Sequence, residues 1–402
     1  MSLVSTSTKR ILMKTKLLGS VILASTITTA SNADVQLFGH LGVLYNQGFG
    51  DVKIAGDNIN YGGLTGHLGV DIGSSNVGFG VGGWGGTQLW GTQDYAKNFV
   101  YGDQYIDLSD LYFRYNGQFD FYAGRFDGHF LKADWIDNYI QGVGLSWKLG
   151  QNSNIWVTWA NDYTTYGVLP GRIASELQAY RRFPSSFNNF GVGDWDLIAG
   201  GANLDFDILQ IDPFVHYFLG TPNAWRINYG DGNNTLQAGA RAALMLGGSG
   251  FKSTTAARFM WQNNYTNTFL FWIDEELRFS EIFKLGAGWY IVGKDSGIYT
   301  ITDHSRFYGR YTIHSMGYFG ANTNSWYVFG GVEHKRVKFD VLYAGGGYNE
   351  FSAVASVRVL DYQLGFMREG LAVDVGAGYV GNGFGDNNIQ YHNAIAFAKL
   401  VF

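Results

Sequence analysis

No cysteine occurs among the 402 residues. A disulfide scaffold, a thiolate metal site and a cysteine nucleophile are therefore excluded. Proline is scarce, at 4 residues, while bulky side chains are plentiful, so the chain is neither collagen-like nor disordered. No run of 18 apolar residues exists, which excludes a bundle of membrane-spanning helices. Charge is sparse, at 15% of residues, and never forms a like-sign run of five, so nothing points to nucleic-acid binding. The eight histidines include no H-E-x-x-H, no G-x-S-x-G is present, and no cofactor is expected. What the chain does have is glycine, 57 residues, and aromatic rings, 17% of the total. Such a composition favours strands that are neither wholly polar nor wholly apolar.

The N-terminus reads as an export signal. Lys9, Arg10, Lys14 and Lys16 precede an apolar stretch from Leu17 to Ile27, and Ser31-Asn32-Ala33 supplies small residues at the cleavage positions. Residues 1–33 are read as a cleaved leader, with Met1 or Met13 as the start. Removing them would leave 24 basic against 33 acidic residues.

Beyond that point the dominant signal has period two. Val337, Phe339, Val341 and Tyr343 alternate with Lys338, Asp340 and Leu342, and Leu371, Val373, Val375, Ala377 and Tyr379 alternate with Ala372, Asp374, Gly376 and Gly378. Successive strand side chains point to opposite faces, so each segment separates two media. The second face is rich in glycine with isolated charges. Segments of about ten residues suit a tilted crossing of a bilayer, and Trp84, Trp90, Trp147, Tyr343 and Tyr379 fall near segment ends, where a membrane interface holds aromatic rings. Eighteen such segments run from 35–45 to 391–402, with 16 remaining if two are loops. Short connections, such as Ser74-Ser75, Gly117 and Asp207, alternate with long ones at 46–60, 91–106, 127–138, 162–194, 220–234, 294–324 and 381–390. That is the pattern of an all-β, antiparallel transmembrane barrel over 34–402. Two segments fit poorly. Pro213 lies inside 208–219, where a bulge is predicted. Glu275 shares a face with Phe269, Phe271 and Ile273, so a register shift after Ile273 is predicted. Gly78-Phe79-Gly80-Val81-Gly82-Gly83 matches G-x-G-x-x-G, but no helix pattern follows, and small residues on the water side of a strand explain it better than a nucleotide site.

The chain resembles bacterial outer-membrane porins, in particular the 18-stranded substrate-specific porins of the porin D type and the related Hof-type outer-membrane proteins of Helicobacter. The resemblance rests on Leu111-Tyr112-Phe113-Arg114-Tyr115, Phe121-Tyr122-Ala123-Gly124-Arg125, Gln141-Gly142-Val143-Gly144-Leu145-Ser146-Trp147 and the terminal Phe402. It implies a pore lined by basic side chains and narrowed by inward-folded loops. It also implies the bacterial outer membrane as location, with lipid and lipopolysaccharide outside and small hydrophilic solutes inside. A homo-oligomer is left open.

A barrel of this size encloses water, and passage then depends on charge and width. With the apolar face outward, Asp110, Arg114, Arg241, Lys252, Arg258, Lys338, Asp340 and Asp374 are predicted to face the lumen, either as opposed charges that set up a transverse field or as residues that satisfy one another. The connection 162–194 holds Ile173, Leu177 and Tyr180 at helical spacing, with Arg172, Glu176, Arg181 and Arg182. It is predicted to fold inward and narrow the pore, or to pack over the outer mouth. The connection 294–324 could take that part instead. Rival readings are an outer-membrane enzyme, using His129, His304 or His314 at the rim, and an adhesin that binds through its loops.

Overall fold

The computed structural model describes residues 34–49, 53–54, 57–58, 60–91, 106–136, 139–163, 196–219, 234–264, 266–300, 306–308, 319–385 and 389–402. The leader 1–33 lies outside the described residues. Among the described residues the fold is built from eighteen long strands: β1 (Asp34–Phe49), β2 (Asn60–Gly73), β3 (Val77–Gly91), β4 (Ile106–Asn116), β5 (Phe119–Asp127), β6 (Tyr139–Lys148), β7 (Asn154–Tyr163), β8 (Leu197–Phe206), β9 (Leu209–Phe218), β10 (Thr235–Gly248), β11 (Phe251–Asn263), β12 (Asn267–Phe279), β13 (Phe283–Val292), β14 (Asn324–His334), β15 (Val337–Gly346), β16 (Tyr348–Tyr362), β17 (Leu371–Phe384) and β18 (Tyr391–Val401). Each pairs antiparallel with its sequence neighbours. β1 pairs with both β2 and β18, which closes the sheet and leaves no edge. The resemblance to 18-stranded barrels is thus borne out in the architecture.

The two faces differ as the period-two pattern requires. On β15, Val337, Phe339 and Tyr343 point outward and are 40–48% exposed, while Asp340, Leu342 and Ala344 point inward and are nearly covered. Short turns join most strands at the end that holds both termini, where residues 363–370 form one longer connection. Most of the longer connections join strands whose ends lie at the opposite, loop end, although Gly347 makes a tight turn there, and Asn264 N donates to Thr266 O at 3.2 Å.

The glycines of 78–83 do more than keep the inner face small. Tyr112 and Arg114 of β4 lie flat across β3, and a Cβ on Gly80 would sit 2.1 Å from the Tyr112 ring and one on Gly78 2.8 Å from the Arg114 guanidinium. Bare backbone on one strand gives long side chains of the next a bed along the wall.

The structure corrects three strand-level expectations. Pro213 makes no bulge. Its pairing with β10 is regular, while the ladder to β8 lapses between Gly201 and Leu204 with register unchanged. The missing N–H therefore falls where no partner is engaged. Pro213→Ala is accordingly expected to shift stability by less than about 0.5 kcal/mol, read from urea unfolding in detergent. Glu275 lies in unbroken register with Thr255 on β11 and Ala287 on β13, so no shift follows Ile273 and the carboxylate stays on the outer face. The segment expected at 353–367 is β16, five residues earlier at both ends. Leu364 and Phe366 continue the period-two pattern past its true end, but there the chain folds back: Leu37 N donates to Phe366 O and Arg368 N to Leu37 O, both at 2.8 Å.

Candidate functional site

The interior is narrowed from the wall by two inward segments. The first is the connection after β5. Asp127 caps a short 3-10 turn, Gly128–Leu131, by accepting from His129 N, and residues 132–136 continue inside the barrel. Leu131, Trp135 and Ile136 are at most 2% exposed. They pack against Phe126, Trp156, Leu197 and Phe214, which is why an apolar connection turns inward. Polar contacts fix its path. Asn154 and Asn203 both donate to Leu131 O, at 3.3 and 3.2 Å, and Arg258 Nε donates to Asp134 at 2.8 Å.

The second segment comes from the connection between β13 and β14. Gln237 donates to Tyr299 O at 2.7 Å, Gln262 donates to Gly297 O at 3.1 Å, and Tyr299 N donates back to Gln262 at 2.9 Å. Arg306 donates to Asp274 at 2.8 Å and to Glu276 at 2.6 Å, with its guanidinium 4.0 Å over the Phe329 ring. Burial works against the Arg306 charge, but Asp274 and Glu276 outweigh it and hold its pKa above the ordinary arginine value. Tyr308 N donates to Glu350 on β16 at 2.8 Å. The two segments meet where Phe319 lies against Trp135 and Trp272, ring centres 6.4 and 6.1 Å away. Their anchors are of opposite sign: wall arginines hold a carboxylate in the first, and wall carboxylates hold an arginine in the second.

The eight sequence-predicted wall residues all lie on the inner face; seven meet an opposite charge, and Asp110 meets a histidine. Arg114 is bidentate on Asp71, at 2.8 and 2.7 Å. Arg241 donates to Asp212 at 2.7 Å and sits 3.9 Å from Asp134, the partner of Arg258. Lys252 pairs with Glu281 at 3.3 Å and Lys338 with Glu333 at 4.0 Å. Asp340 takes Lys284 and Tyr308. Asp374 accepts two bonds from Arg358, at 2.9 and 3.0 Å. Asp110 faces His67 Nε2 at 2.7 Å. The arrangement is one of local pairs rather than two opposed rows.

A β-bulge opposite Gly82 brings Ser109 beside Asp110, and Ser109 Oγ donates to the same carboxylate oxygen that His67 approaches. The carboxylate stands between serine and histidine, so the imidazole is not placed to take the serine proton, as nucleophilic catalysis would need. Of the rim histidines, His129 lies in the short turn, while His304 and His314 are outside the described residues.

The expected constriction residues Arg172, Glu176, Arg181 and Arg182 also lie outside the described residues. Of the alternative connection, 294–324, the described residues Ile298, Tyr299, Phe307 and Phe319 are buried in the interior. Segment 128–136 escaped the sequence reading because it lacks helical spacing; its signal was Leu131, Trp135 and Ile136 crowded into a short connection. His67, Asp71, Arg306 and Glu350 were missed because no local motif marks them.

No protein-family model and no curated relative matches the chain. Solved structures do. OccAB4 of Acinetobacter baumannii is 10% identical with a TM-score of 0.64, over 92% of this chain and 98% of that one. A BenF-like porin from Pseudomonas fluorescens Pf-5 is 12% identical with a TM-score of 0.64, over 92% and 99%. The outer membrane protein OpdK from Pseudomonas aeruginosa is 10% identical with a TM-score of 0.63, over 92% and 98%. At such identities the likeness is one of fold: the chain has the closed-barrel fold of these outer-membrane proteins.

Proposed function

We propose that the protein is an outer-membrane porin through which small hydrophilic solutes and ions diffuse. The observation that carries this reading is the sidedness of one closed sheet: Leu111 and Leu285, 56% and 57% exposed, stand outside, while ion pairs line the inside. A barrel of eighteen strands is wide enough to leave water within after two segments fold in. Residues 1–33 direct export. On the outer face, Arg125 bonds Gln141 at 2.7 Å toward the loop end, a polar rim suited to lipopolysaccharide headgroups.

Planar-bilayer recording of the refolded protein tests this. Discrete current steps are expected, with permeation by small organic ions; vanillate, with which OpdK has been crystallised, is one suitable test solute. A folded, inserted protein that never conducts would remove the reading.

A further inference from the structure

Basic side chains that reach the interior mostly stand on carboxylates. Arg114, Arg241, Arg258, Lys284, Arg306 and Arg358 each carry one within hydrogen-bonding reach. Such a pair acts on a passing ion as a dipole, whose field fades with distance faster than that of a lone charge. Lys132, on the first inward segment, is different: its ammonium has no ion-pair or hydrogen-bond partner among the described residues. The carboxylate nearest to it along the chain, Asp134, is already taken by Arg258 and Arg241.

The backbone of Lys132 is held inside the barrel. Leu131 and Ala133 on either side are buried in the apolar core, and Leu131 O accepts from Asn154 of β7 and Asn203 of β8. The Lys132 side chain turns away from that packing and is exposed. For a segment enclosed by the wall, the open space beside it is the lumen.

The conformation is costly for a lysine. Lys132 follows the turn Gly128–Leu131 with φ 57° and ψ 29°, the left-handed region that glycine or asparagine usually supplies at such a cap. A lysine at the end of a helical turn can stabilise it by donating to the last carbonyls. Here the backbone N–H makes that bond, to His129 O at 2.9 Å, and the ammonium donates to no carbonyl. Strain retained at a residue whose side chain makes no polar contact within the protein points to a use outside it.

We propose that Lys132 sets the charge preference of the channel, drawing small anions, chloride or carboxylates, past a wall whose paired charges nearly cancel. The excess of acidic over basic residues, 33 to 28, does not oppose this, because charges more than about 8–10 Å from the ion are screened. The inference rests on the channel reading above and adds the group that gives the channel its sign.

Reversal potentials in a potassium chloride gradient, at low salt where screening is weakest, test it. The parent chain is expected to favour chloride. Lys132→Gly removes the charge and relieves the backbone. Its chloride-to-potassium permeability ratio is expected to fall about threefold, the order of effect that one unit charge has on a nearby ion in water, with no loss of stability to urea in detergent. Lys132→Gln, which keeps a side chain, is expected to match it, and Lys132→Arg to keep the parent ratio. Replacing Lys252 and Glu281 together by glutamine removes a wall pair and is expected to leave the ratio unchanged. An unchanged ratio in conducting Lys132→Gly and Lys132→Gln channels, or a parent that favours potassium, would overturn the role of Lys132 and leave the channel standing. A pair variant that shifts the ratio as far as Lys132→Gly would overturn the division between paired wall and lone lysine. A folded, inserted parent that never conducts would remove both readings.

Discussion

Replacing Asp134 by alanine is expected to destabilise the barrel by about 3–5 kcal/mol and to raise its single-channel current about twofold, because width at the narrowest section limits passage. Arg241 and Arg258 stand directly opposite each other across β10 and β11, both pointing inward. Like charges in that position repel, and Arg258 is only 4% exposed, so water does little to relieve it. Asp134, delivered by the inward segment, is what makes the pair tolerable, and the same contact holds the segment in the lumen. Its loss strands a buried guanidinium and releases the segment together. Combining Asp134→Ala with Arg258→Met separates the two effects. The apolar replacement should restore most of the stability, since a buried ion pair exchanged for packed apolar groups is often neutral. The current should stay high, because the latch is still missing. Urea unfolding in detergent and bilayer recording on the three proteins check this; a double variant with wild-type current would show that Asp134 does not hold the segment.

Gly39→Val is expected to prevent closure of the barrel. Gly39 has φ +143°, where L side chains are rarely found, and a Cβ there would lie 2.0 Å from His67 O. The obstruction is backbone and cannot swing aside. Gly39 also exchanges two bonds with the terminal residue, Gly39 N to Phe402 O at 2.8 Å and Phe402 N to Gly39 O at 3.0 Å, so it sits at the seam between first and last strands. The backbone conformation alone costs about 1–3 kcal/mol, and the clash adds to it. A seam that cannot close leaves two exposed edges in place of none. The expected readouts are loss of the compact, heat-sensitive gel band and loss of current. Gly248→Ala serves as control: a Cβ at Gly248 has nothing within 4 Å, and its band and current should match the parent protein.

The strands were legible because an apolar exterior imposes one rule on outward residues, which β15 follows from Val337 to Tyr343 and β17 from Leu371 to Tyr379. Pro213 and Glu275 were misread for a shared reason. Each was judged against its own strand, while the answer lay on the next one: the lapsed ladder at Ala202 and Asn203, and the hydroxyls of Ser253 and Thr255, 22 and 20 residues away in sequence. The inward face of Arg258 was legible from parity. Its partner was not, because Asp134 lies 124 residues earlier and no spacing rule links a wall strand to a connection. The same holds for His67 and Asp110, 43 residues apart. Alternation reports which medium a side chain faces; it carries no information about which inward groups meet across the lumen.

The most direct test of the account is the accessibility of alternate positions on one strand. Single cysteines placed in turn at positions 337–344 of β15, in protein reconstituted into vesicles, are treated with a charged, membrane-impermeant thiol reagent. Reaction is expected at the inner position 338, where the side chain is open to the lumen, and not at 339, 341 and 343, which the account turns toward lipid. Uniform labelling at every position, or labelling confined to the odd ones, would contradict the claim that this sheet keeps water within and lipid without.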